Sequence, residues 1–181
     1  MNVVRILLAV ALVNLAATTH AVIINLNSTI NNSDMPVVLT GLDANLTYSI
    51  TQLGVAGGGT YSAWNAWNGS VSGCDGDGAN CSTGWVSRFF YRTNLDSAFQ
   101  ESAEFNVFAS PSLALDAATA PIIRSGISSV AFFISDNVLW DNIGGISLDV
   151  VAVDSQVPEP PALVLFGIGL LVLGVARKKL R

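Results

Sequence analysis

Near the C-terminus, Ala162 to Ala176 form an uncharged run in which 12 of 15 side chains are hydrophobic. Pro158, Pro160 and Pro161 precede it, and Arg177, Lys178, Lys179 and Arg181 follow it. Proline lacks a backbone N–H and restricts the residue before it, so no helix runs back through this point. At 1.5 Å per residue the run is roughly 23 Å long as helix. That is short for a membrane span, but Pro161 and the snorkelling stems of Arg177 and Lys178 lengthen it. A transmembrane helix is therefore expected within residues 156–181, and any folded domain must be built from what remains.

The N-terminus has the same apolar character and a different form. Residues 1–21 contain 15 hydrophobic side chains, with Arg5 ahead of the run from Ile6 to Ala17 and Thr19-His20-Ala21 closing it. A basic start, a short apolar centre and small residues at the −3 and −1 positions describe a signal peptide cleaved after Ala21. Cleavage after Ala17 is the weaker alternative. An uncleaved anchor would need about 20 apolar residues, more than this run supplies. Arg5 and the four terminal cations place both ends in the cytoplasm by the positive-inside rule, and the segment between them outside.

Between the ends, residues 22–155 hold 63 hydrophobic residues out of 134, an ordinary fraction for one globular domain able to bury its own core. Their charge is not ordinary: Arg88, Arg92 and Arg124 face twelve acidic residues, giving a net charge of −9, and there is no lysine. Binding to nucleic acid requires clustered cations against phosphate, so that class is excluded. The single histidine, His20, leaves with the signal. Ser-His-Asp and Cys-His catalysis and histidine-ligated zinc are excluded with it. Carboxylate chemistry and simple binding remain.

Short segments rich in β-branched and aromatic residues recur along this domain: 22–26, 36–40, 46–53, 85–93, 103–108, 129–134 and 146–153. Leu46 to Thr51 alternates with period two, as a half-buried strand does. Glycine-rich turns such as Gly57-Gly58-Gly59 and Gly144-Gly145 separate the segments. A short helix is expected in 96–104 or 111–120. The pattern predicts an all-β fold, a single β-sandwich or jelly roll.

Cys74 and Cys81 bracket Asp75, Gly76, Asp77, Gly78, Ala79 and Asn80. Two cysteines in an exported domain are expected to pair and close this loop, worth roughly 2–3 kcal/mol. The alternative, a calcium loop on Asp75 and Asp77, lacks a ligand at the fifth position (Ala79) and a Glu at the twelfth. A second acidic group, Asp136, Asp141 and Asn142, lies at the turn of an expected hairpin. It could converge on one calcium ion, with backbone carbonyls completing the shell. The bland reading is that these residues satisfy turn backbone groups. Trp64 and Trp67, interleaved with small polar residues, suit stacking on a sugar face and suit a core equally. Glu101 with Glu104, or Asp136 with Asp141, are the pairs a carboxylate-based glycoside hydrolase would use. Three residues apart on a possible helix, Glu101 and Glu104 more readily form a solvated face.

Val157-Pro158-Glu159-Pro160, the Leu/Gly-rich span and the basic tail resemble, in that order, the PEP-CTERM sorting signal of Gram-negative bacteria. The resemblance implies recognition by exosortase, a membrane-embedded cysteine transpeptidase. It further implies processing near the Pro-Glu-Pro motif and association with extracellular polysaccharide and biofilm. The same segment is also catalogued as an ice-binding protein C-terminal domain, although no regular Thr array accompanies it here. The turn carrying Asp136, Asp141, Asn142 and Gly144-Gly145 is similar to the calcium loop of small galactose-binding bacterial lectins. Thr47-Tyr48, Trp64, Trp67, the Cys74–Cys81 loop and Gly84-Trp85 together resemble a recurrent ectodomain of PEP-CTERM proteins, a resemblance that implies no particular activity. The expected organisation is a signal peptide (1–21), an exported β-sandwich domain (22–155) and a sorting signal (156–181). The expected protein is a non-catalytic surface or matrix component, met during export by signal peptidase and exosortase. A calcium-dependent lectin is the alternative.

Overall fold

Inward-facing apolar residues at every second position build two antiparallel sheets around one core. A computed structural model describes residues 21–118 and 120–153. The strands in chain order are β1 (Ala21–Asn27), β2 (Val37–Thr40), β3 (Thr47–Gln52), β4 (Trp64–Asn65), β5 (Trp85–Val86), β6 (Phe90–Thr93), β7 (Gln100–Glu101), β8 (Ile122–Ser125), β9 (Ser129–Phe133) and β10 (Ile143–Val153). One helix, α1 (Pro111–Asp116), precedes β8.

The first sheet runs β5-β4-β10-β3-β8, with β1 added on β10, and the second runs β2-β9-β6-β7. From β10, Ile146, Leu148 and Val150 point inward and are buried, as do Ile24 and Leu26 of β1 and Tyr48 and Ile50 of β3. Opposite them stand Val130 and Phe132 of β9, Ile134 just beyond it, Tyr91 of β6 and Phe89 before it. The all-β expectation holds, and the face-to-face packing is that of a sandwich.

β10 is the longest strand, and it pairs along both edges. Ala21–Asn27 run against Val151–Gly145, Gln52–Thr47 against Leu148–Val153, and Trp64 and Asn65 against Gly144 and Ile143. Two glycines permit this crowding. Gly144 adopts φ +78°, and a Cβ there would lie 2.5 Å from the Ala63 carbonyl oxygen. A Cβ on Gly145 would lie 2.0 Å from the Leu26 oxygen and 2.7 Å from the Tyr61 ring. Only glycine lets the backbones approach this closely.

The structure departs from the sequence expectation in several places. The expected strand over 85–93 is two strands in different sheets, because the chain crosses the sandwich at Ser87–Phe89. That crossing is held by the Gln52 side-chain amide donating to the Ser87 carbonyl and by the Trp64 indole N–H donating to that of Arg88 at 3.0 Å. Segment 103–108 is not a strand: Val107 O accepts from Cys81 N at 3.1 Å and Phe108 exchanges a pair of bonds with Trp85 as an isolated bridge, so no continuous ladder forms. No helix forms over 96–104. Gln100 and Glu101 instead pair with Tyr91 and Phe90 as β7, and the Gln100 side chain is held by Asp96 at 2.7 Å. The alternative, 111–120, does hold a helix: Ser110 Oγ caps it by accepting from Leu113 N at 3.2 Å, and Pro111 begins it. The short strands β4 and β8 were not expected.

Among the described residues, no helix is long and apolar enough to cross a membrane. The expected signal peptide, apart from Ala21, and the expected transmembrane helix lie outside the described residues.

Leu148, fully buried against both sheets, sets the packing prediction. Leu148→Ala is expected to lower stability by about 2–5 kcal/mol in denaturant unfolding. Ile123→Ala, on the exposed outer face of β8, is expected to change it by about 0.5 kcal/mol or less.

Candidate functional site

Asn65 is wholly buried and organises the turn after β4. Its Oδ1 accepts from the backbone N–H of Trp67 at 2.7 Å and of Gly69 at 3.1 Å, and its Nδ2 donates to Ser70 O at 3.1 Å. Asn68, at φ +50°, then turns the chain and donates its N–H to Asp141 O at 2.8 Å. The Trp64–Gly69 turn and the β9–β10 connection, residues 134–142, are thereby fastened side by side.

Between them lies a cleft of about 470 Å³ whose walls include Trp64, Trp67, Arg88, Phe105, Asp136 and Asp141. Four of the residues singled out from sequence meet here: Trp64, Trp67, Asp136 and Asp141. Their exposures differ. Trp64 is 2% exposed and belongs to the core, its indole N–H already used by Arg88 O. Trp67 is half-buried at the core's margin. Asn142 follows Asp141, is buried, and donates its Nδ2 to Ser28 O at 3.0 Å.

Asp136 Oδ2, Asp141 Oδ1 and Asn142 Oδ1 are shut off from solvent and have no hydrogen-bond partner. All three atoms are acceptors only. Burying acceptors, carboxylate oxygens above all, without a donor or cation is costly. A hard cation coordinated by oxygens would satisfy such a set. Among the described residues no group of three or more His, Cys, Asp or Glu is placed to hold a metal ion, and Asn142 does not join Asp136 and Asp141 in the cleft lining. Asp136 Oδ1 accepts from Val138 N at 3.3 Å, a turn contact of the expected bland kind.

Arg88 was not singled out from the sequence. Its guanidinium is sandwiched between the rings of Phe90, 5.1 Å away, and Phe105, 4.7 Å away, and pairs with Glu101 at 3.1 Å. Its signal was present: one of three cations in the domain, set directly before Phe89-Phe90. Trp140 was also missed, although it stands between Val138 and Asp141. It is 86% exposed, the most exposed large apolar side chain among the described residues.

Cys74 and Cys81 form the expected disulfide. Within that loop Asp75 Oδ1 accepts from Ala79 N at 2.8 Å and Asp77 N at 3.1 Å, and Oδ2 from Asn80 Nδ2 at 2.8 Å. The Ala79 N–H, then the Asn80 amide, hold the Asp75 carboxyl below the usual carboxylate range. Backbone N–H groups and the Asn80 side-chain amide thus occupy the Asp75 oxygens that a calcium loop would need. The proposed hydrolase pair is not on a helix: Glu101 lies on β7 in its ion pair with Arg88, and Glu104 is exposed on the following loop.

Two antiparallel sheets, a disulfide of the kind kept in oxidising compartments and a cleft of aromatics and carboxylates define an all-β module. Residues 156–179 match the family described as the PEP-CTERM protein-sorting motif. The chain is therefore that of an exported, exosortase-processed protein, as its C-terminal pattern implied. No curated protein and no solved structure matches the chain. Val157, Pro158, Glu159 and Pro160 of the motif lie outside the described residues.

Asp96 is likewise held below the usual carboxylate range, by the Thr93 N–H and then the Thr93 hydroxyl. Depressed carboxyls stabilise the fold fully above about pH 4, their unfolded value, and lose that contribution as pH falls through their lower folded values. The thermal midpoint is therefore expected to fall on acidification from about pH 5 to about pH 2. Asp96→Asn should lower the midpoint at neutral pH and shrink that fall.

Proposed function

We propose that this protein is a non-catalytic surface or matrix component that associates with extracellular polysaccharide through the cleft between the Trp64–Gly69 turn and the β9–β10 connection. The observation that carries the reading is the lining: Trp67 and Phe105 offer apolar ring surface, and Asp136 and Asp141 offer carboxylates, in one opening of sugar size. Stacking faces beside hydrogen-bonding groups suit a polyhydroxylated ring. Export and sorting deliver the domain to where such polymers are made. The outer surface or matrix of a Gram-negative cell is the expected destination.

A calcium-dependent form is the second reading, favoured by the three buried partnerless oxygens of Asp136, Asp141 and Asn142. Calcium there would need backbone carbonyls or water to complete six to eight ligands. It would also sit in a cleft shared with Arg88, whose charge Glu101 partly offsets. The ion would order the β9–β10 connection and present a positive centre to sugar hydroxyls. A hydrolytic role finds little support in Glu101, already tied to Arg88.

Two measurements test these readings. The full chain is expected to be retained on polysaccharide gels, and Asp141→Asn to reduce retention about tenfold or more, as loss of a charged hydrogen bond does. Retention that survives EDTA counts against calcium and leaves the polysaccharide reading standing; no retention with or without calcium overturns that reading. For sorting, Glu159→Ala is expected to leave an unprocessed, membrane-retained precursor on immunoblots of fractionated cells. Normal processing of that variant would remove the Pro-Glu-Pro motif as the determinant.

A further inference from the structure

We infer that Trp140 is the stacking platform of this site and that the glycan it holds is uncharged, an inference that rests on the polysaccharide reading above. Tryptophan is highly buried on average, so an indole left 86% exposed is unusual. The exposure is not that of a loose segment. Leu139 O accepts from Asn142 N at 3.3 Å, Asp141 O accepts from Asn68 N at 2.8 Å, and Asp136 Oδ1 accepts from Val138 N at 3.3 Å. These bonds bracket Trp140 on both sides and hold its backbone while leaving the ring in solvent. Val138 and Asp141, on either side of it in the chain, line the cleft, so Trp140 belongs to the segment that forms the cleft's wall, next in sequence to a carboxylate with a partnerless oxygen.

Trp64 cannot take this role, because it is 2% exposed and its N–H is bonded inside the domain. Trp140 has a free face and a free N–H donor. A pyranose ring stacked on it would lie beside the chain segment whose Asp136, Val138 and Asp141 line the cleft.

Charge selects among partners for an exposed aromatic tip. The domain carries a net charge of −9 and no lysine. Its three arginines are each stacked on a ring: Arg88 on Phe90 and Phe105, Arg92 on Phe99 at 4.4 Å, and Arg124 on Tyr91 at 5.0 Å. Anionic lipid headgroups and uronate polymers meet net repulsion that three ring-stacked guanidiniums are too few to offset. A second copy of the domain carries the same charge. An uncharged ring with hydroxyls faces none of this.

The test uses the full chain in phosphatidylcholine nanodiscs, with dextran and galactomannan as neutral probes, alginate as the acidic one, and phosphatidylglycerol vesicles as the lipid arm. A neutral polysaccharide is expected to shift tryptophan emission to shorter wavelength, and Trp140→Ala to abolish that shift and weaken binding about tenfold. Leu95→Ala, which removes another exposed apolar side chain, should change neither, and unaltered circular dichroism of both variants shows that they fold. If the unmodified chain binds a neutral polysaccharide and Trp140→Ala binds it equally well, the platform assignment fails while the polysaccharide reading survives. Preference for alginate, with or without calcium, overturns the uncharged glycan. An emission shift with phosphatidylglycerol vesicles and none with glycan makes the tip a membrane contact. Failure of the unmodified chain to bind any of the three polysaccharides overturns both readings together.

Discussion

Backbone pairing on both edges of β10 is the constraint from which the rest of the domain follows. One eleven-residue strand joins β1 and β3 along most of its length and reaches β4 with its first two residues. Such pairing demands that two other backbones come close where Gly144 and Gly145 lie. A side chain at either position would push apart β4 or β1, and with them the Trp64–Gly69 turn. The same strand supplies Ile146, Leu148 and Val150 to the core, so sheet closure and core packing are one event. Its N-terminal end fixes where the preceding connection leaves the sandwich, and so where Asp136, Asp141 and Trp140 stand.

The second sheet solves a different problem. Among the described residues its outer face is covered by rings: Phe133 is stacked on Phe90 at 5.1 Å and meets Phe99, just before β7, edge-on at 4.6 Å. Arg88 and Arg92 lie over Phe90 and Phe99 as lids with a wet rim. Arg124 reaches from β8 of the first sheet to the Tyr91 hydroxyl and Gln100 Oε1 of the second. Burial raises the Tyr91 phenol above its usual value, against the lowering effect of Arg124. The phenol thus stays a neutral hydrogen-bonding link between the sheets.

Much of the fold was legible because alternation is a strong signal. Thr47–Gln52 and Ser129–Phe133 were expected within a residue or two, since their inward residues are β-branched or aromatic and their outward ones, Phe133 excepted, small or polar. The expectation failed where side-chain chemistry overrode pattern. The strand over 85–93 breaks because both sheets claim part of it, and Gln100–Glu101 pair because β6 had a free edge and Asp96 held Gln100. The Cys74–Cys81 pairing needed only spacing and compartment, and the Pro-Glu-Pro motif needed only order. The cleft was half legible: the acidic turn announced itself, but a sequence does not report exposure. That is why the sequence left Trp64, a core residue, open between a sugar face and the core, while Trp140, the exposed one, passed unnoticed.

The scarcity of cations has a consequence outside the cell. Proteases that cleave after Lys or Arg find only Arg88, Arg92 and Arg124 in residues 22–153. Arg92 and Arg124 lie within paired strands and Arg88 at the crossing between the sheets, each with its guanidinium stacked on a ring. Nicking concentrates at exposed loop tips, and the long loops here, from the Cys74–Cys81 segment to the β9–β10 connection, carry acids and no base. A surface built this way resists digestion by one large class of secreted enzymes without any added stability.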